Sequence, residues 1–291
     1  MIQIVTRLGR EVDVNDDYTV EQNWEQFTPK EHDRWDRLYE RQSRLLPGRA
    51  CEEYLEGLKL LSLSKSGIPN FDTLSDDLEK LTGWRVVAVP DLVPDDVFFD
   101  HLANKRFPAG NFIRSEENLD YLQEPDVFHD VFGHVPMLTN PVFSDYMQAY
   151  GKGGQRADGM GVLKNLARLY WYTVEFGLIN TADGMRIYGA GIVSSKSESI
   201  YSLESQSPNR LHFDLERLMK TDYIIDDFQQ TYWVISSFEE LLEATYQDFG
   251  ELYKKLANSS EIHSVETVLP SDKTYTHGDQ SYARSGGRKR A

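Results

Sequence analysis

Cysteine is nearly missing from this chain: its 291 residues include one, Cys51. A single thiol excludes an internal disulfide framework, and with it the small secreted scaffolds that depend on such staples. Long apolar runs are lacking too. The richest, "LKLLSL" and "VVAV", fall far short of the ~20 apolar residues that a membrane-spanning helix needs. No membrane partner is expected. Positive charge is in deficit, with 31 basic against 47 acidic residues and a formal net charge of -16. That balance repels phosphate backbones and anionic lipid, which argues against nucleic acid as a partner. The opening "MIQIVTRLGREVDVNDD" has neither the basic start nor the apolar stretch of a secretion signal, so a cytoplasmic location is expected.

What remains is a hydrophobic share of 40%, enough to bury one large core or two small ones. "PKEHDRWDRLYERQSRLL" opens with Pro29 and sets Trp35, Leu38 and Leu45 at helical spacing. "ACEEYLEGLKLLSL" and "FDTLSDDLEKLTG" read as two further helices, the latter stopped by Gly83. "RVVAVP" reads as a short strand, and residues 97–112 as a short helix followed by extended chain. "NPVFSDYMQAYGKGGQRADGMG" predicts a helix that runs into a glycine-rich turn. "VLKNLARLYWYTVEFGLIN" carries the strongest helical pattern of the chain, "GMRIYGAGIVSS" reads as extended, and "ISSFEELLEATYQDFGELYKKLA" as one long amphipathic helix. The expected fold class is mostly α with a few short strands (α+β). Residues 1–17 are expected to be weakly structured. Residues 259–291, polar, almost without periodicity and ending in "RSGGRKRA", are expected to form a disordered tail too poor in apolar residues to dock.

Chemistry concentrates in "PDVFHDVFGHVPM", which carries His129 and His134. Imidazole is the commonest protein metal ligand. The pair alone leaves two readings open: a metal site, or one packed histidine and one at a helix end beside Gly133 and Pro136. A third ligand has to decide. Glu175 lies among Trp171, Tyr172, Val174, Phe176 and Leu178, where an unpaired carboxylate is expensive. Its partner is either Arg168, seven residues earlier, or a metal shared with both histidines. Two imidazoles and a carboxylate would form the facial set of ferrous oxygenases, with zinc as the competing metal. Zinc hydrolases place their histidines four apart around a glutamate; here the spacing is five and Asp130 follows the first histidine. In a regular α-helix residues five apart point about 140° from each other, so a local π-turn or a loosened helix end is required to aim both rings together.

Taken together, "EPDVFHDVFGHVPML", "LARLYWYTVEFGL" and "YGAGIVSS" resemble, in order, the pterin-dependent aromatic amino acid hydroxylases, and the likeness runs from about Tyr18 to about Phe249. The resemblance implies a single helical catalytic domain, here residues 18–258, holding non-haem Fe(II) through His129, His134 and Glu175. It is strongest to bacterial members acting on phenylalanine, because no regulatory domain precedes the first helix and no long heptad tail follows the last. A monomer is the corresponding expectation. The implied reaction uses O2 and a tetrahydropterin (tetrahydrobiopterin or a relative) to convert L-phenylalanine to L-tyrosine. A hydroxylase that prefers the ring of tryptophan or tyrosine is the alternative, and a zinc-dependent hydrolase or a non-catalytic helical binding protein are more distant ones.

Carried over by position, the resemblance assigns Phe98 to stack on the pterin, Val93 to offer it backbone contacts, and Tyr170 to line the iron pocket. Asp130 stands where animal members carry glutamate, so the shorter side chain acts on the pterin directly or through water. Arg114 is assigned to the substrate carboxylate, a role suited to a guanidinium fork; judged without the resemblance it reads as a surface arginine beside Glu116 and Glu117. Pro125, Trp171 and Ser194 are assigned to the substrate pocket. Tryptophan hydroxylases of the family carry phenylalanine at the position of Trp171, which argues against tryptophan as the main substrate. Leu122 stands where animal members have threonine, so a hydroxyl contact is missing there or supplied elsewhere.

Overall fold

The computed structural model describes residues 1–6, 9–61, 63, 67–120, 124–246 and 249–286. Leu122 and the end of the basic cluster, 287–291, lie outside the described residues. The chain divides into two compact units, Met1–Arg44 with Glu52–Gln155, and Leu45–Cys51 with Arg156–Ala291. Among the described residues no helix is long and apolar enough to cross a membrane.

The first unit opens with β1 (Ile2–Val5) antiparallel to β2 (Glu11–Val14). This corrects the expectation of a weakly structured start. Four-residue strands are too short for their alternation to be read in isolation, and the pairing is made legible only by its partner. Helix α1 (Pro29–Leu45) begins at a capping box: Glu31 N donates to Thr28 Oγ1 at 3.3 Å and Thr28 N donates to the Glu31 carboxylate at 2.7 Å. It buries Trp35 and Leu38. Helix α2 (Glu52–Leu60) turns Tyr54, Gly57 and Leu58 inward, and α3 (Phe71–Leu81) is capped by Asn70, whose side chain accepts from Asp72 N and Thr73 N. Strand β3 (Arg85–Val89) pairs in parallel with β4 (Arg106–Gly110), connected by α4 (Asp95–Ala103). Helix α5 (Pro141–Gly159) starts in this unit and stays helical through the expected glycine-rich turn. The glycines are packing devices: a side chain at Gly151 would strike Ala103 and Leu102, and one at Gly154 would strike the ring of Phe99.

The second unit contains α6 (Leu163–Tyr170), β5 (Leu178–Thr181), β6 (Gly184–Ile187), α7 (Ala190–Val193), α8 (Lys196–Glu204), β7 (Asn209–His212), α9 (Leu215–Met219), β8 (Thr231–Ile235), α10 (Phe238–Ala244), α11 (Phe249–Ala257), β9 (Thr274–Thr276) and α12 (Ser281–Arg284). The sheet order is β6-β5-β8-β7-β9. Its central strand β8, "TYWVI", is buried at every residue, as expected of a strand covered on both faces. The segment expected to be extended, "GMRIYGAGIVSS", divides into β6 and the short helix α7. The expected long C-terminal helix is two helices, because tight bonds from Thr245 N to Leu242 O and Tyr246 N to Glu243 O close α10.

The largest correction concerns the tail. Strand β9 lies antiparallel to β7. Gly278 N donates to Asn209 Oδ1 at 3.0 Å, Asp272 pairs with Arg217 at 3.2 Å, and Tyr282 Oη donates to Asp227 at 2.7 Å. The Arg217 and Asp272 side chains are 8% and 5% exposed, so the pair is shielded from water. The segment docks through paired polar groups and isolated ring contacts, Tyr275 stacked on His212 at 3.8 Å and Tyr282 set against Phe228 at 5.2 Å, rather than through a continuous apolar stripe, and hydrophobic periodicity does not register such docking.

Candidate active site

His129 and His134 occupy a π-helix, Phe128–His134, which continues into a tight 3-10 turn, Val135–Thr139. In a π-helix the hydrogen bonds run from i to i+5, so residues five apart come round to nearly the same face. This is the correction that the five-residue spacing required. The two rings stand 5.1 Å apart, with Nε2 of one 3.3 Å from Nε2 of the other. Tyr54 Oη donates to Phe132 O at 2.6 Å, anchoring the distorted segment to α2. Phe128 and Phe132 stack at 4.7 Å on its inner side, and Phe107 lies 4.9 Å from the His134 ring.

Glu175 ends a second π-helix, Trp171–Glu175, into which α6 runs. The helix expected from the sequence is therefore regular only as far as Tyr170. Arg168, the alternative partner for Glu175, is engaged with Asp222 at 2.7 Å. Glycines crowd the carboxylate. A Cβ at Gly191 would stand 3.1 Å from Glu175 Oε2 and 3.0 Å from Phe176 Cζ, and one at Gly189 would collide with Glu175 O. The glycines of "YGAGIVSS" thus mark close approach of chain to carboxylate.

One ligand atom from each of His129, His134 and Glu175 lies within 4.8 Å of the others. Two nitrogen donors about 2.1 Å from one ion at a right angle stand about 3.0 Å apart, and the observed 3.3 Å between the imidazoles is close to that spacing. The set is two imidazoles and one carboxylate, the combination suited to ferrous iron with open positions. These residues fit the metal.

Arg114 is not on the surface. It is 7% exposed, and Asp126 at 0% accepts from its Nε and Nη2, each at 2.8 Å. Asp126 also accepts from the backbone N–H groups of Arg114, at 2.8 Å, and His129, at 3.0 Å. One carboxylate therefore ties the arginine to the start of the π-helix that carries His129 and His134. Burial works against its charge, but the Arg114 guanidinium and these hydrogen bonds prevail and hold its carboxyl below the usual carboxylate range. Asp130 behaves oppositely: burial pushes its carboxyl up to about 6, against the pull of both histidines and the Gly110 N–H that donates to it at 2.7 Å.

Val93 and Phe98 are half-buried, Val93 ahead of α4 and Phe98 within it, with Phe98 set edgewise to Phe99 at 5.9 Å. Pro125 is half-buried beside Asp126, and Tyr170 is the last residue of α6. Ser194 closes α7, its hydroxyl donating to Ala190 O at 2.7 Å. Trp171 opens the second π-helix and stacks on Tyr223 at 4.5 Å. Asp126 escaped the sequence reading, although an acid set between Pro125 and an apolar run was an available signal. Gln229, which accepts from the Trp171 indole at 3.0 Å, left no comparable trace.

The profile of the biopterin-dependent aromatic amino acid hydroxylases matches residues 13–269. The chain belongs to that family. This hydroxylase is 64% identical over 272 residues to the phenylalanine-4-hydroxylase of Caulobacter vibrioides, covering 94% of this chain and 92% of that one. It is 56% identical over 279 residues to that of Chromobacterium violaceum, covering 95% and 93%. The iron- and phenylalanine-bound crystal structure of the Chromobacterium enzyme superimposes with a TM-score of 0.85 at 55% identity, over 89% of this chain and 94% of that one. Its structure with iron(III) and 7,8-dihydrobiopterin gives 0.87 at 56% identity, over 90% and 95%. The α+β fold of the hydroxylase is the fold of these enzymes.

Proposed function

We propose that this hydroxylase is a phenylalanine 4-hydroxylase, converting L-phenylalanine to L-tyrosine with O2 and a tetrahydropterin at Fe(II). The observation that carries the reading is the group His129, His134 and Glu175, with ligand atoms within 4.8 Å of one another, in a chain 56–64% identical to phenylalanine-4-hydroxylases. Ferrous iron and the reduced pterin supply the electrons that triplet O2 needs before it can oxidise a closed-shell ring. The chain supplies placement. His129 and His134 offer neutral nitrogen donors and Glu175 the ligand charge. The Nε–Nη2 edge of Arg114 is held by Asp126, which fixes the remaining part of the fork for the substrate carboxylate. Pro125, Trp171 and Ser194 shape the aromatic pocket. Phe98 offers its ring face to the pterin, Val93 its backbone, Tyr170 lines the iron pocket, and Asp130 faces the pterin as a proton acceptor or donor.

The protein acts as a monomer in the cytoplasm, with residues 18–258 carrying the catalytic machinery. The test is purified protein with ferrous iron, tetrahydropterin, air and phenylalanine, and tyrosine followed by chromatography. Iron-dependent tyrosine is expected, and its absence would overturn the reading. Faster turnover of tryptophan or tyrosine in the same mixture would assign a different ring preference.

A further inference from the structure

Trp171 presents an indole whose N–H needs an acceptor wherever water is excluded. It finds one in Gln229, a side chain 1% exposed in the segment between α9 and β8. The amide is oriented by its other end. Nε2 donates to Ile224 O at 2.6 Å and to Asp227 O at 3.4 Å, while Oε1 accepts from Trp171 Nε1 at 3.0 Å and from Ile224 N at 3.4 Å. Reversing the amide would set its NH2 against two N–H donors and its oxygen against two carbonyls, so the network admits one orientation.

The segment that carries Gln229 is fastened from three sides. Arg168 holds Asp222 at 2.7 Å, Tyr282 Oη holds Asp227 at 2.7 Å, and Gln280 Nε2 reaches Gln230 O at 3.3 Å. The Gln229 backbone N–H points to the buried Glu198 carboxylate at 3.4 Å. The same segment contributes Tyr223, stacked on the Trp171 ring at 4.5 Å and 22°. Stacking fixes the plane of an indole but leaves it free to slide and turn within that plane. A hydrogen bond at its edge removes that freedom.

We infer that Gln229 is a positioning residue of the substrate site, acting through Trp171: it sets the in-plane orientation of the indole that the aromatic substrate meets. The inference rests on the reading of Trp171 as a wall of the phenylalanine pocket. Gln229→Leu keeps the volume and removes both the acceptor and the donors. It is expected to lower kcat/KM for phenylalanine about tenfold, mainly through KM, with iron content unchanged. In a Trp171→Phe background, where no indole N–H exists, the same change should cost less than about twofold. A tenfold loss in both backgrounds would overturn the inference, since the effect would then not pass through Trp171.

Exchange of the indole N–H with deuterium, followed by NMR and assigned by its loss in Trp171→Phe, needs no Gln229 variant to fold. Slow exchange in the wild type is expected, and rapid exchange would remove the hydrogen bond on which the inference stands. If Trp171→Phe by itself leaves both kcat/KM for phenylalanine and the ratio of phenylalanine to tryptophan efficiencies unchanged, Trp171 is not a pocket wall and the inference falls with that reading, even if the indole N–H proves protected. A ratio that moves toward tryptophan supports it.

Discussion

Asp126 accepts four hydrogen bonds at 0% exposure, two from the Arg114 guanidinium and two from backbone N–H groups, one of them at His129. Removing one partner of a buried pair leaves an uncompensated charge, so Asp126→Asn is expected to cost about 3 kcal/mol of stability. It should also weaken iron binding, because the π-helix bearing His129 loses an anchor; thermal melting and an iron titration check the two effects separately. Gly189→Ala addresses crowding rather than charge. Its Cβ would meet the Glu175 backbone carbonyl and, at 2.5 Å, Gly177 N, neither of which can move as a side chain can. A loss of about 2–3 kcal/mol is expected by chemical denaturation, the upper range for overpacking. Glu175→Gln differs from both: the fold should remain and iron binding and hydroxylation should go, because an amide supplies no ligand charge. Near-normal metal content together with turnover in that variant would contradict the ligand assignment.

Among the described residues two stretches are π-helical, Phe128–His134 and Trp171–Glu175, and they carry the three candidate metal ligands. A π-turn weakens local bonding geometry and persists where surrounding contacts hold it. The stack of Phe128 on Phe132 at 4.7 Å and the Tyr54 bond to Phe132 O at 2.6 Å do so for the first. Strand β9 is the other informative element. Ending the chain at Asn258 would uncover the edge of β7 and leave Arg217, 8% exposed, without Asp272. The truncated protein is therefore expected to lose about 3 kcal/mol or more. Calorimetry would register this as a lowered midpoint, and an unchanged midpoint would show that the docked tail contributes nothing.

For the whole molecule, the three candidate metal ligands are drawn from positions 129, 134 and 175, so an ion that bound them only in the folded chain would stabilise the fold by mass action. At a hundredfold excess over Kd that is about 2.7 kcal/mol, or roughly 4–5 °C in the melting midpoint of a chain this size. Anaerobic calorimetry with and without ferrous iron measures the shift. Chelation should abolish it, and Glu175→Gln should show little of it. A wild-type midpoint indifferent to iron would mean that the three side chains do not bind the ion in the native state.

The sequence by itself determined the α+β class, the helices of the first unit and the family, and through that resemblance it named His129, His134 and Glu175 as candidate iron ligands, because amphipathic spacing, caps and long ordered motifs are local properties of the chain. It did not determine that His129 and His134 face together: their spacing contradicts a regular helix, and the π-turn that reconciles them is selected by Tyr54 and the stacked phenylalanines. Nor did it reveal that Arg114 is buried against Asp126, since twelve residues of chain separate the pair in sequence and only burial distinguishes it from a surface charge. Gln229 lies 58 residues from the indole it holds, and the tail reaches β7 through polar pairs and an isolated ring contact that carry no hydrophobic pattern. The tertiary structure decided these, because a hydrogen bond between distant segments depends on where folding places donor and acceptor, and side-chain periodicity records only how much surface each segment must hide.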